Sequence, residues 1–182
     1  MIMLGAILRK KITDEQFAKM FVSLVLDSTE RGFTDVAHII NEDNSFVKPP
    51  QIDPEDDGKF TLIVMAGNIK LLEKYFDHTK LIYISDLIYK ELAPVYDFTP
   101  EQMKTALNQY SSFMTRINHP SKNTLYAMSK AVFYKYELCA NQDEYFRNMQ
   151  CPNPLFLKRM DEIMEKFILN WDAYFKKFKM AA

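Results

Sequence analysis

The sequence contains few of the residues that make turns. Four Gly and eight Pro account for 12 of its 182 residues, roughly 7% against a usual share of about 12%. Because Gly and Pro are the strongest local breakers of regular structure, their scarcity predicts few connections and long elements. The glycines, at positions 5, 32, 58 and 67, match no phosphate-loop or dinucleotide-binding spacing. Nucleotide binding through a glycine-rich loop is therefore excluded.

Cysteine and arginine are also scarce. Cys139 and Cys151 are the only cysteines, and their spacing matches neither a zinc site nor a disulfide framework. The formal net charge is -1, with five arginines against 18 lysines. Nucleic-acid recognition favours a basic field and bidentate arginines. We therefore expect no nucleic-acid partner.

No apolar run approaches the 18 or so residues of a membrane span. Residues 1–8 are apolar, but Arg9, Lys10 and Lys11 follow them, which is the reverse of the charge order in a secretory signal. We predict no membrane span and a cytoplasmic location.

Two segments carry complete helix-start signals. In 12–17, Thr13 is the predicted N-cap and Gln16 its reciprocal partner; in 98–103, Thr99 is the N-cap and Pro100 the first helical residue. The first predicted helix ends before Gly32, which favours a left-handed helix terminus.

Further boundaries follow from Pro, Asn and polar capping residues. Residues 44–53 form a predicted acidic, Pro-rich loop, with a solvated loop preferred over a docking site for a basic partner. The remaining predicted helices cover 34–41, 54–77, 79–93, 100–117, 121–139, 142–149 and 154–179.

Two short apolar runs, 60–66 and 80–85, fit either a helix or a strand. We prefer helix, because both runs continue into residues of helical periodicity. The sequence thus predicts a single domain, 1–182, with an all-α fold: an irregular bundle of about seven or eight helices without strands.

The segment 154–179 has the most regular apolar spacing, with Trp171 in its stripe. A coiled-coil homo-oligomer through this helix is one interpretation. Apolar residues on the flanking positions widen the stripe, so packing into the protein's own core is preferred. Three lysines after Trp171 complement the helix dipole; binding of a membrane surface or an acidic groove is the alternative.

The sequence offers little for catalysis. Asp35, His38 and Glu42 share one helix face and form a weak metal-site candidate, against the simpler interpretation of a solvated polar face. No cofactor is predicted, no catalytic residue is assigned, and an enzymatic role is not favoured.

Aromatic residues and methionine are abundant, with 14 Phe, 10 Tyr, one Trp and 11 Met. Such side chains are enriched at protein interfaces. The candidates for an interface or a pocket are Tyr83, Tyr89, Tyr126, Tyr134, Tyr136 and Trp171. We expect a small cytoplasmic helical protein that binds another protein as an adaptor, regulator or inhibitor. The alternative is a receptor or enzyme for an apolar or aromatic small molecule, held in a cavity lined by Tyr, Met and Phe.

Overall fold

The computed structural model describes residues 9–181, and helices dominate them. The elements are β1 (Lys10–Ile12), α1 (Asp14–Asn41), α2 (Gly58–Leu71), α3 (His78–Leu92), α4 (Pro100–Asn118), α5 (Thr124–Lys135), α6 (Glu144–Met149), α7 (Pro154–Met164), α8 (Trp171–Lys177) and β2 (Phe178–Met180). The 3₁₀ segments are Leu72–Lys74, Ala93–Tyr96, Leu138–Asn141 and Glu165–Phe167. The predicted all-α fold is confirmed.

Helix α2 is the centre of the molecule. Every residue from Phe60 to Asn68 is buried, and α2 contacts α1, α4 and α5. The runs 60–66 and 80–85 are both helical, so the strand alternative is wrong. α2 is shorter than the predicted 54–77, because the chain before Gly58 is held in a loop and the chain after Leu71 tightens into a 3₁₀ turn.

Both predicted capping boxes are present. The Thr13 hydroxyl accepts the N–H of Gln16 at 3.2 Å, and the Gln16 side chain accepts the N–H of Thr13 at 2.9 Å. Thr99 and Gln102 make the same pair of bonds at the start of α4. These local bonds satisfy backbone donors that a helix start leaves open.

The predicted helix end at Gly32 is wrong, since α1 continues from Asp14 to Asn41. A Cβ at Gly32 would lie 2.7 Å from Cζ of Phe167. Glycine is therefore needed here for a close approach of α1 to the Glu165–Phe167 turn, not for a left-handed helix terminus.

The predicted single helix 154–179 is also wrong. It is divided into α7 and α8, with Glu165–Phe167 in a 3₁₀ turn and Ile168 in extended conformation at φ -84° and ψ 118°. Fully buried Asn68 holds the break: its amide donates to Phe167 O at 2.9 Å and its oxygen accepts Leu169 N–H at 2.9 Å. A coiled coil along 154–179 has no continuous helix on which to form.

The predicted loop 44–53 lies within a longer connection, residues 42–57, that is tied to its neighbours. The Asn41 side chain donates to Ile52 O and accepts Ile52 N–H, both at 2.9 Å. Arg159 of α7 donates to both oxygens of Asp43, at 2.7 and 2.5 Å. The loop is therefore bonded to the helices beside it rather than simply solvated.

Helix α5 is shorter at both ends than the predicted 121–139. Its N-cap is Asn123, which accepts Tyr126 N–H at 3.2 Å, while Ser121 accepts the N–H of Asn123 itself. It ends before Glu137, whose φ of 55° is left-handed and incompatible with a continuing α-helix.

The two described ends of the chain meet in a small parallel sheet, which the sequence did not predict. Lys10 pairs with Phe178, Lys11 with Lys179, and Ile12 with Met180, and Ala181 N–H donates to Ile12 O at 2.7 Å. The end of the predicted last helix is therefore β2. None of the helices in residues 9–181 has the length and apolar character needed to cross a bilayer.

Candidate functional site

The aromatic candidates do not form one surface. Tyr89 and Trp171 are core residues, and the Trp171 ring stacks on Phe21 with centroids 5.1 Å apart. Tyr83 on α3 and Tyr126 on α5 are exposed at separate positions.

Tyr134 and Tyr136 each have structural partners, and the two sets differ. The Tyr134 hydroxyl donates to Gln150 O at 3.2 Å. The Tyr136 hydroxyl accepts Phe60 N–H at 3.2 Å and donates to Asp56 O at 3.0 Å. It thereby replaces the side-chain cap that α2 lacks, and burial raises the pKa of Tyr136, which keeps the phenol protonated.

The weak metal candidate is not assembled. Asp35, His38 and Glu42 are exposed along the outer face and end of α1. Within residues 9–181, no group of three or more His, Cys, Asp and Glu side chains is placed to hold a metal ion.

A cavity of about 640 Å³ lies where the end of α2, the end of α4 and the start of α5 converge. Its apolar wall is formed by Ala66, Leu71, Met114 and Ala127. No Tyr, Phe or Trp lines it, so it differs from the expected Tyr, Met and Phe cavity. We call it the α2–α4–α5 cleft.

Lysines give the rim of this cleft a positive balance. Lys70, Lys74 and Lys122 line it against one acid, Glu73. Lys70 pairs with Glu73 at 2.6 Å and Lys74 with Asp172 at 2.9 Å, whereas Lys122 makes no ion pair or hydrogen bond to the residues described. The cleft therefore combines an apolar floor with one cation available to a ligand.

Asn118 shapes the floor of the α2–α4–α5 cleft. It is buried, and its amide donates to Asn123 O at 2.8 Å, which fixes the turn between α4 and α5. Its oxygen accepts the ammonium of Lys130 at 3.1 Å. The hydrogen-bonding groups of Asn118 therefore hold the α4–α5 turn and α5 in place at the floor of the cleft.

A second candidate surface includes α6 and its neighbouring segments. Among the large apolar side chains of residues 9–181, the four most exposed are Val47, Tyr145, Met149 and Leu155, at 57–70%. Tyr145 and Met149 are four residues apart on α6 and so share a helix face. We call these four side chains the α6 surface.

The α6 surface is formed by two segments, the chain around Val47 and the chain from 141 to 155, and backbone and side-chain hydrogen bonds hold them in place. Val47 N–H donates to Asn141 O at 2.9 Å, beside an antiparallel bridge between Phe46 and Gln142. Buried Gln142 donates to Cys151 O at 2.8 Å and accepts Asn153 N–H at 2.6 Å. The apolar side chains are thus presented on a fixed framework.

Sequence reasoning missed the α6 surface, although one signal was present. Tyr145 and Met149 stand four apart in a segment otherwise rich in polar residues, but the exposure of both follows from α6 burying none of its residues. Val47 joins them through its bond to Asn141 O and the neighbouring Phe46–Gln142 bridge, and neither contact has a sequence signature.

Comparisons of the chain with protein-family models, curated proteins and solved structures found no match.

Proposed function

We propose that the protein works by binding another protein through the α6 surface. The observation that carries the proposal concerns the four most exposed large apolar side chains of residues 9–181. They lie on two segments, one around Val47 and the other within 141–155, that are hydrogen-bonded to each other. Isolated exposed apolar residues are ordinary, whereas a grouped set marks an interaction site.

The composition of this surface fits a partner with an apolar face. Tyr and Met are enriched in interface cores, and Tyr145, Met149, Val47 and Leu155 would lose water contact together on docking. Asp143, Glu144 and Arg147 lie beside them in sequence and would supply a polar rim. The occupant we propose is an apolar segment of a different protein, in an adaptor, regulator or inhibitor role.

Site-specific photo-crosslinking in the source cell tests the proposal. A photoreactive residue at position 145 should trap one partner, while the same residue at the exposed position 126 should not. The trapped protein, once purified, should bind the wild type and lose at least ten-fold in affinity with Met149→Ser plus Leu155→Ser. Ile82→Ser plus Val95→Ser, two exposed apolar residues elsewhere, should leave that affinity unchanged.

Three outcomes would contradict this role. Equal crosslinking from positions 145 and 126 would show that the α6 surface has no specific partner. Crosslinks only between copies of this chain, with concentration-dependent sedimentation, would identify a homo-oligomer. Equal loss of affinity in the two double variants would indicate a general effect of surface polarity.

A second candidate function has support from the α2–α4–α5 cleft. Its volume is typical of small-molecule sites, and its apolar floor with Lys122 on the rim suits a small amphipathic anion such as a medium-chain carboxylate. Calorimetry with octanoate tests it: binding that weakens in Lys122→Ala, but not in Lys48→Ala, supports the ligand site, and absence of binding removes it.

A further inference from the structure

The parallel pairing of β1 with β2 brings two basic segments together from opposite ends of the sequence. Arg9, Lys10 and Lys11 precede α1, and Lys176, Lys177 and Lys179 end the chain's last helix and strand. The register places Lys11 beside Lys179. All six side chains are exposed. We call them the terminal basic patch.

The cations of this patch have no close acidic partner among the described residues. None of the six forms an ion pair within residues 9–181. Of the acids nearest in sequence, Asp14 is bonded to Lys80 at 2.5 Å and Asp172 to Lys74 at 2.9 Å. Glu15 forms no ion pair with any of the six cations. Since the whole chain carries -1, the rest of the protein carries -1 minus 6, or -7.

Apolar groups accompany the charges. The Phe178 ring stacks on Tyr174 with centroids 4.7 Å apart, and Phe178 and Met180 are partly exposed on the sheet face of Lys10, opposite that of Lys11 and Lys179. Membrane surfaces bind proteins that combine a basic cluster with apolar side chains, because each contribution alone is weak.

We propose that the terminal basic patch binds the surface of an anionic lipid bilayer. Five of its six cations are lysines, whose compact ammonium groups suit diffuse contact with many phosphates, whereas nucleic-acid readout leans on arginine forks. The patch also lies outside the α2–α4–α5 cleft, and a flat membrane needs no groove. With its acidic remainder, the molecule would orient these two strands toward the lipid.

Vesicle co-sedimentation of the full chain tests the proposal. Vesicles of phosphatidylcholine with 30% phosphatidylserine should bind the protein at 50 mM salt, and pure phosphatidylcholine vesicles should not. Binding should be lost by 500 mM salt, since exposed charges are then screened. Each lysine near an anionic surface contributes about five-fold in affinity, so Lys176→Gln, Lys177→Gln and Lys179→Gln together should weaken binding about 100-fold.

A second triple variant separates the patch from a simple helix-dipole role of the C-terminal lysines. Arg9→Gln, Lys10→Gln and Lys11→Gln should weaken vesicle binding to a similar degree, because the sheet joins both segments. Lys48→Gln, Lys90→Gln and Lys166→Gln change the net charge equally on exposed positions elsewhere and should retain binding. Circular dichroism of each variant confirms that it is folded.

The outcomes that would overturn the proposal are distinct. No sedimentation with anionic vesicles at 50 mM salt removes it. Equal losses in all three triple variants show that net charge alone is responsible. Tighter binding to a 20-base-pair DNA duplex or to polyglutamate than to the vesicles assigns the patch to nucleic acid or to an acidic protein instead.

Discussion

Gly32 of α1 lies directly against the ring of Phe167, so closely that a Cβ at Gly32 would come within 2.7 Å of Cζ and 2.9 Å of Cε1. Phe167 stands at the end of the 3₁₀ turn that separates α7 from α8, and its ring also meets Phe60 edge to face at 4.8 Å. Through these two contacts, Phe167 joins the first helix, the central helix and the break in the C-terminal segment.

Gly32→Ala should destabilise the protein, contrary to the usual effect of this change. Inside a helix, Ala is normally better than Gly by about 0.5–1 kcal/mol, but here the added methyl group overpacks the core, which costs about 1–3 kcal/mol. Urea unfolding followed by circular dichroism measures the free energy. In a Phe167→Leu background the same change should cost less or become stabilising; an unchanged cost would refute the steric explanation.

Asn68→Leu should lower the free energy of unfolding by about 2–4 kcal/mol. The change leaves the carbonyl of Phe167 and the N–H of Leu169 without their partner, and a buried unpaired polar group costs about 1–3 kcal/mol. Asn108→Leu, on the exposed face of α4, is the matched control and should stay within about 0.5 kcal/mol of the wild type. Equal effects of the two changes would mean that Asn68 does not hold the break.

Arg159→Ala should destabilise the protein by about 2 kcal/mol at neutral pH, because hydrogen bonds to a charged group contribute about 1.5–3 kcal/mol. The Asp43 side chain is only 3% exposed and would lose its main donor. Lys158→Ala, an exposed neighbour, is the control and should have little effect.

The Asp43–Arg159 pair also predicts a pH dependence. Burial alone would raise the pKa of Asp43, but hydrogen bonds from Arg159 and Ser45 outweigh it and lower the pKa below its ordinary value. A lowered pKa contributes stability above the unfolded-state value near 4, and that contribution is lost as pH falls through the folded-state pKa. The stability gap between wild type and Arg159→Ala should therefore narrow below pH 4. A gap that stays constant from pH 7 to pH 3 would contradict the role of the Asp43 carboxylate.

Tyr136→Phe should cost about 1–2 kcal/mol, because it removes the hydroxyl that bonds Phe60 N–H and Asp56 O at the start of α2. Burial raises the pKa of Tyr136. Above pH 10, the unfolded state loses this proton first, so wild-type stability should fall with rising pH more steeply than that of Tyr136→Phe. Tyr126→Phe, at an exposed position, should change stability little at neutral pH; a cost equal to that of Tyr136→Phe would rule out the capping role.

Sequence signals predict the local structure correctly where the interacting residues are close in sequence. Both capping boxes join residues three apart, so Thr13 and Thr99 fix helix starts in any surrounding fold. The helical character of 60–66 was also recognisable, since its apolar run continues into 69–76 with helical spacing. None of the binding residues predicted from the sequence belongs to the α6 surface, because the exposure of a side chain depends on which other elements pack over its helix.

What the sequence determined alone is an all-α chain, the starts at Thr13 and Thr99, and a Pro-rich connection around 44–53. Tertiary structure decided the rest. Asn68 and Gly32, which precede Phe167 by 99 residues or more, interrupt the C-terminal helix, because Asn68 bonds its backbone and Gly32 allows close packing of Phe167. Likewise, two basic segments at opposite ends of the chain become one surface only when β1 and β2 pair. Periodicity reports which face of a helix is apolar, but the energy of a distant hydrogen bond or of close packing depends on a neighbour that no local pattern contains.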